Sequence, residues 1–273
     1  GVIFGSWPSP ATNYLGSRAG GLVTASTSDV YLTGNKLDFS SPAAVKTTGH
    51  VYAEPFGTSF TNAQTFSSNF TVDASATALT FGKSSNTQGI TLTGSYSIGG
   101  PIDIYGGALA INGALTATSS YVDVYATGAV TQTAAITASG LGLHGTGSFT
   151  LNNTGNTVGT LAAGDATTKV GNLSFTNAGA LTVDTVTSPS FTTTGITSTG
   201  TVLVETLSGD LAINQNISTT NAMASAVLLN AGKSTAAGTT TGGNILITGP
   251  PSITAGAGGT IRLMSGSVSG STG

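Results

Sequence analysis

The sequence predicts an all-β chain, a parallel β-helix with three short strands per coil. Two observations carry this. Ile102-Asp103-Ile104-Tyr105 recurs as Val122-Asp123-Val124-Tyr125 and, in worn form, as Leu141-Gly142-Leu143-His144. The copies are about twenty residues apart, and each interval holds two further apolar-alternating pieces, which is the arithmetic of one three-stranded coil per period. The composition agrees. Only 6% of residues are charged and 40 are Gly, so Ser, Thr and Gly supply a polar, uncharged surface around periodic Val, Ile and Leu.

The first 87 residues read as irregular β coils or an N-terminal capping section. Trp7 lies beside Pro8 and Pro10, and strand-like pairs stand at Val30/Leu32 and Leu37/Phe39. Phe56, Phe60, Phe66 and Phe70 have near-helical spacing, but the Gly, Ser, Thr and Asn between them are poor helix formers. From residue 88 to 273 the regular β-helix follows, with Ile90/Leu92, Tyr96/Ile98 and Ile102/Ile104 opening a first, second and third face. The first face is expected to continue through Leu109/Ile111, Val130 with Gln132, Phe149/Leu151, Leu181/Val183, Leu211/Ile213 and Ile245/Ile247. The second follows Leu115, Ile136, Leu161, Ile196, Ile217 and Ile253. The third follows Val122/Val124, Leu141/Leu143, Leu173/Phe175, Val202/Val204, Val227/Leu229 and Ile261/Leu263. Longer periods must shed residues at corners, so loops are expected near 163–168, 187–190 and 232–242. Pro101, Pro189, Pro250 and Pro251 fit corners, where a missing N–H is tolerated. Gly106-Gly107, Gly128, Gly147 and Gly179 are expected to turn with φ > 0.

Composition excludes several functions. The net charge is −3, and the seven Lys and Arg are scattered, so no footprint for nucleic acid or an anionic membrane is present. With no Cys there is no disulfide and no thiolate metal site. No apolar run approaches the roughly 20 residues of a membrane helix. The opening Gly1-Val2-Ile3-Phe4 has no basic region and reads as a processed terminus or an internal cut.

Asp103 and Asp123 are the sharpest candidate site. They fall at equivalent outward positions one coil apart, a spacing of roughly 4.8 Å. Such a pair suits a cation or an acid–base pair; the plainer reading is two solvated residues copied with the repeat. The outward position continues as Gly142, Ser174, Leu203, Leu228 and Arg262, so the acids do not persist. Tyr105, Tyr125 and His144 form a second column, an aromatic ladder or a sugar platform. Spacing identifies no Ser or Asp partner for His144, and His50 falls in the irregular section. Asn69, Asn152, Asn172 and Asn216 match the glycosylation pattern, which a Ser/Thr-rich chain meets by chance. The expected site list is empty: no catalytic, cofactor-binding or metal residue, no cofactor, and no enzyme.

Gly147-Ser148-Phe149-Thr150-Leu151-Asn152-Asn153-Thr154-Gly155-Asn156-Thr157-Val158-Gly159-Thr160-Leu161, followed by Val170-Gly171-Asn172-Leu173-Ser174-Phe175-Thr176-Asn177, resembles the repeat region of bacterial filamentous-haemagglutinin-like exoproteins. The likeness covers about residues 88–265. It implies a right-handed parallel β-helix serving as a secreted surface stalk for adhesion or filament building, exported by an outer-membrane transporter. The expected partners are copies of the chain or the rest of a longer fibre, and host or surface glycans. A self-assembling filament subunit and, below it, a β-helical carbohydrate-active enzyme using Asp103 and Asp123 are the competing classes.

Overall fold

In the computed structural model, residues 2–4, 14–16, 21–24, 27–236, 239–267 and 270–272 are described. Trp7, Pro8, Pro10 and the opening Gly1 lie outside the described residues. All elements among the described residues are strands, 31 in number, as the sequence predicts. They form long parallel sheets, consistent with a β-solenoid. One sheet has 15 strands; its main path runs from Val2–Phe4 through Ile102–Gly106 to Ile245–Ile247. A nine-stranded sheet runs from Gln64–Phe66 to Ile261–Ser265. The chain passes repeatedly between these sheets, so strands pair with strands from neighbouring periods rather than with a sequence neighbour, one hairpin excepted. That long-range parallel pairing is what alternating apolar residues separated by Gly and Ser corners allow.

Like sits over like. Ile102 pairs with Val122 and Val122 with Leu141; Ile90 pairs with Leu109 and Leu109 with Val130. Their side chains are nearly inaccessible and join one core that runs from Val30 to Ile245. The core crosses residue 87 without a break in pairing, since Leu79 pairs with Ile102 and Gln64 with Ile90. In the early section the interior is aromatic. Phe39, Phe66, Phe70, Phe81 and Tyr96 pack together, with Phe66 and Phe81 centroids 4.7 Å apart, while Phe56 is 62% exposed. The Phe spacing therefore marks an aromatic core inside strands and corners.

The structure corrects the ladders beyond Leu143. Leu173 pairs with Phe149, so it and Val202, Val227 and Ile261 continue the first face. Leu141 pairs with Leu161, and Leu161 with Val183, so the third face continues through Leu161, Leu181/Val183, Leu211/Ile213 and Ile245/Ile247. Ile196, Ile217 and Ile253 do form one ladder, as expected. The error has a physical cause: a two-residue alternation separates inside from outside but is identical on every face. The chain also bends within single long strands, Leu115–Ala126, Ile136–His144 and Thr157–Ala163, which merge two faces.

The corner glycines are also corrected. Positive φ belongs to Gly145 (84°) and Gly164 (62°), among others, and to none of the corner glycines named from the sequence. Gly107 and Gly147 are needed for close approach: a Cβ would stand 2.3 Å from the Thr87 carbonyl oxygen and 2.2 Å from that of Gly128. The expected 187–190 corner is the tip of a hairpin, Thr185–Thr187 against Thr192–Thr194, the one antiparallel pair among the described residues.

Corners are closed by polar side chains turned inward. Asn156 is fully buried; its amide donates to the carbonyls of Leu151 and Thr176, and its Oδ1 accepts from the Ile136 N–H. Asn177 does the same one period on, donating to the Val158 and Ala180 carbonyls and accepting from the Val158 N–H. These amides satisfy backbone groups that leave the ladders at a bend.

The corrected register is testable by cross-linking, since the chain has no Cys. Thr150 pairs with Ser174. The double variant T150C/S174C is expected to form a disulfide on mild oxidation, because register neighbours fall in the bridgeable Cα range of about 4.4–6.8 Å. The pair T150C/T182C, neighbours only in the uncorrected ladder, is expected to stay reduced in a gel-shift assay.

Candidate functional site

The outward residues of the long sheet stack as strictly as the core. Tyr31, Tyr52, Thr80, Asp103, Asp123 and Gly142 succeed one another in register. A second column holds Tyr105, Tyr125 and His144. Alternation along each strand places both columns on the outer face, as the sequence implies.

The acids are not solvated. Asp103 is 8% exposed and Asp123 2%, contrary to the plainer sequence reading. The cause is the hairpin Thr185–Thr194, which folds back over the outer face. Val186 is buried against Gly140, where a Cβ would stand 3.3 Å from its Cγ1. Phe191 stacks on the His144 ring with centroids 4.0 Å apart and lies 6.1 Å from both Tyr105 and Tyr125. The aromatic column expected from the sequence is thus real, with Tyr105 and Tyr125 centroids 6.2 Å apart, and Phe191 joins it from a distant segment.

His144 does have partners. Its Nε2 lies 3.0 Å from Asp123 Oδ1, and its Nδ1 lies 3.1 Å from Thr193 Oγ1. An ionised carboxylate only accepts, so Nε2–H donates to Asp123; in the neutral ring the Thr193 hydroxyl donates to Nδ1. The order hydroxyl, imidazole, carboxylate is that of a nucleophile relay. Thr193, however, is 3% exposed on the inner side of the hairpin, and no substrate reaches it in this arrangement. The contact acts as a clasp between the hairpin and the outer face. Gly142 makes it possible: a Cβ there would stand 2.0 Å from Asp123 Oδ1 and 2.9 Å from His144 Nε2. What looks like decay in the third copy of the repeat is room for the carboxylate–imidazole pair.

At this site two buried carboxylate oxygens have no hydrogen-bond partner, Asp103 Oδ1 and Asp123 Oδ2. Burial, and then the negative charge of Asp123, push the Asp103 carboxyl up to about 7. Burial and the same two carboxyls push the Tyr121 hydroxyl well above its usual range. Beside the clasp the outer face opens into a groove of about 660 Å³. Asp103, Tyr105, Tyr121 and Phe191 line one end; His50, Tyr52, Glu54 and Lys83 line the other. The His50 and Tyr52 rings stack 3.8 Å apart, and His50 Nε2 is 2.8 Å from Thr80 Oγ1. His50, uninterpretable in the sequence, is therefore a wall of the groove. Burial lowers its pKa, with Asp29 opposing.

Among the described residues no three His, Cys, Asp or Glu side chains converge on a metal position. Several other acids hold corner N–H groups, as Asp165 does for Thr168 and Asp210 for Asn244. Of the glycosylation-pattern residues, Asn172 and Asn216 accept bonds from the Thr201 and Ser252 N–H groups of the next period. Sequence reasoning missed Phe191, Thr193, Glu54 and Tyr52. The β-branched runs Thr185-Val186-Thr187 and Thr192-Thr193-Thr194 around Pro189 signal the hairpin, but nothing in them says where the hairpin lies.

Comparison with protein-family models finds no match, and comparisons with curated proteins and with solved structures find none.

Two outcomes follow from this geometry. Gly142→Ala is expected to displace Asp123 from His144 and destabilise the fold by about 1–3 kcal/mol, the cost of leaving a buried polar group unpaired, in chemical denaturation. The second concerns pH. Asp103 binds a proton more tightly folded than unfolded, so between about pH 4 and 7 the folded state holds more protons and stability falls as pH rises. Asp103→Asn is expected to remove that decline and to be more stable than the parent above pH 7. The wild-type-minus-variant difference in urea midpoint isolates this group from Glu54, which acts in the same direction, and His50, which opposes it.

Proposed function

We propose that the chain is a structural segment of a secreted bacterial surface fibre or adhesin, a rigid right-handed β-helical stalk. The observation that supports this reading most is the uninterrupted apolar core shared by parallel strands that pair between neighbouring periods. Such a stack lengthens by adding periods and keeps its cross-section, which is the mechanical requirement of a stalk. The outer columns suit the same role, because ring stacks and the Asp123–His144–Thr193 clasp fasten a protruding hairpin to the shaft. The burial of Asp123 beneath the hairpin favours structure over turnover there, since catalysis at Asp123 needs solvent and substrate access.

One observation favours a filament subunit as a second reading. On Ile261–Ser265, the last strand of the nine-stranded sheet, Ile261, Leu263 and Met264 are 37–47% exposed. A further coil, from this chain or another copy, would cover them. An open strand edge with apolar side chains is a template for pairing.

Small-angle scattering and light scattering over a wide concentration range test both. A stalk segment gives a concentration-independent elongated particle; a subunit gives particles whose length grows in steps while the cross-section stays constant. A compact sphere would sink the stalk reading, and a monomer at all concentrations would sink the subunit reading.

A further inference from the structure

The groove beside the clasp has walls that do not suit water alone. Asp103 lines it, is 8% exposed, and keeps Oδ1 without a hydrogen-bond donor. No cation among the described residues pairs with Asp103; the ion pairs are Lys36–Asp38, His144–Asp123 and Lys233–Glu205. The same stretch of wall carries the aromatic rings of Tyr105, Tyr121 and Phe191. At the other end Glu54 adds a second carboxyl, and Lys83 is the one lysine or arginine lining the groove. A buried acid without a counter-charge, set among aromatic rings at the edge of a groove, is the complement of a small cation that also donates hydrogen bonds. A ring face attracts an ammonium through its quadrupole, and a carboxylate oxygen accepts its N–H. The groove volume of about 660 Å³ is several times that of one sugar or a short diamine, so such a ligand fills only the end that Asp103 lines.

We propose that this groove binds a protonated primary amine on a small polar ligand, with Asp103 accepting from the ammonium and Tyr105, Tyr121 and Phe191 facing it. Thr80, Ser84 and Ser190 supply hydroxyls for the remainder of the ligand. The inference stands apart from the stalk reading, because it rests on the outer face and not on how the core extends. Binding carries a proton signature. Asp103 is partly protonated near pH 7, and an ammonium beside it favours the carboxylate, so binding releases a proton.

Isothermal titration calorimetry of the full chain near neutral pH tests this with 1,4-diaminobutane, glucosamine, N-acetylglucosamine and glucose. One or both amines are expected to bind, with the acetylated and neutral sugars weaker by about tenfold or more. The apparent enthalpy for 1,4-diaminobutane, whose amines are fully protonated near neutral pH, is expected to change with buffer ionisation enthalpy, reporting the released proton. Asp103→Asn is expected to weaken amine binding by about tenfold and to abolish the buffer dependence. Tyr105→Leu, which keeps the acid, is expected to weaken binding with the proton release retained. Preference for glucosamine assigns a sugar-borne amine, and preference for the diamine a free polyamine. Equal binding of glucose, unchanged affinity in Asp103→Asn, or no heat from either amine up to about 10 mM would each overturn the proposal.

Discussion

Parallel pairing between periods is the constraint from which the rest of this molecule follows. A strand in a stack of this kind has no hydrogen-bonding partner in its own hairpin; both its edges must be met by strands about twenty to thirty residues away. Side chains at equivalent positions then fall above one another, inside and out. Inside, that produces the apolar ladders and one shared core. Outside, it places chemically related residues in columns whether or not a site is intended. Tyr31 over Tyr52, with ring centroids 4.5 Å apart, and Asp103 over Asp123 arise from the same geometry. For tyrosines the juxtaposition is favourable. For two carboxyls it is costly unless a proton, a hydrogen bond or a cation intervenes.

The two aspartates resolve that cost differently, and the difference comes from what the next period supplies. Asp123 faces Gly142, whose missing side chain lets His144 reach its carboxylate. Asp103 has Thr80 on one side and Asp123 on the other, and receives no donor at Oδ1. Its carboxyl is consequently the group driven upward. One duplicated motif thus yields a fastened acid and an unfastened one. The hairpin makes the contrast sharper, since it seals Asp123 while Asp103 stays at the edge of the groove.

How much of this was legible in the sequence depended on the length scale of the signal. Alternation within three to five residues showed which side chains face inward, and Ile102/Ile104 and Val122/Val124 are buried accordingly. The repeat between 102 and 144 gave the pairing of those copies, because their spacing is short and regular. Beyond Leu143 the periods lengthen, and nothing local distinguishes one apolar face from another; Leu173 could be placed over Leu141 or over Phe149 with equal alternation. The buried amides were missed for a related reason. Asn156 and Asn177 look like loop residues in a chain rich in Asn, Ser and Thr, and only the bend shows that each replaces several backbone bonds. The single hint was Gln132 standing where an apolar residue was expected; its side chain in fact meets Asn156.

The candidate site was half legible, and the missing half is the instructive part. Asp103, Asp123, Tyr105, Tyr125 and His144 were all named from the repeat, yet their chemistry was misjudged because every argument available concerned the shaft alone. A stack offers room for insertions only where they leave the core, so an inserted segment must lie on the outer face or project from it. Thr185–Thr194 lies down, and Gly140 beneath Val186 shows why it can. A glycine at the outward position of an otherwise Thr- and Tyr-bearing column is therefore a signal in its own right. It marks where another segment is seated, and it converts a column of exposed groups into a covered one with altered acidity.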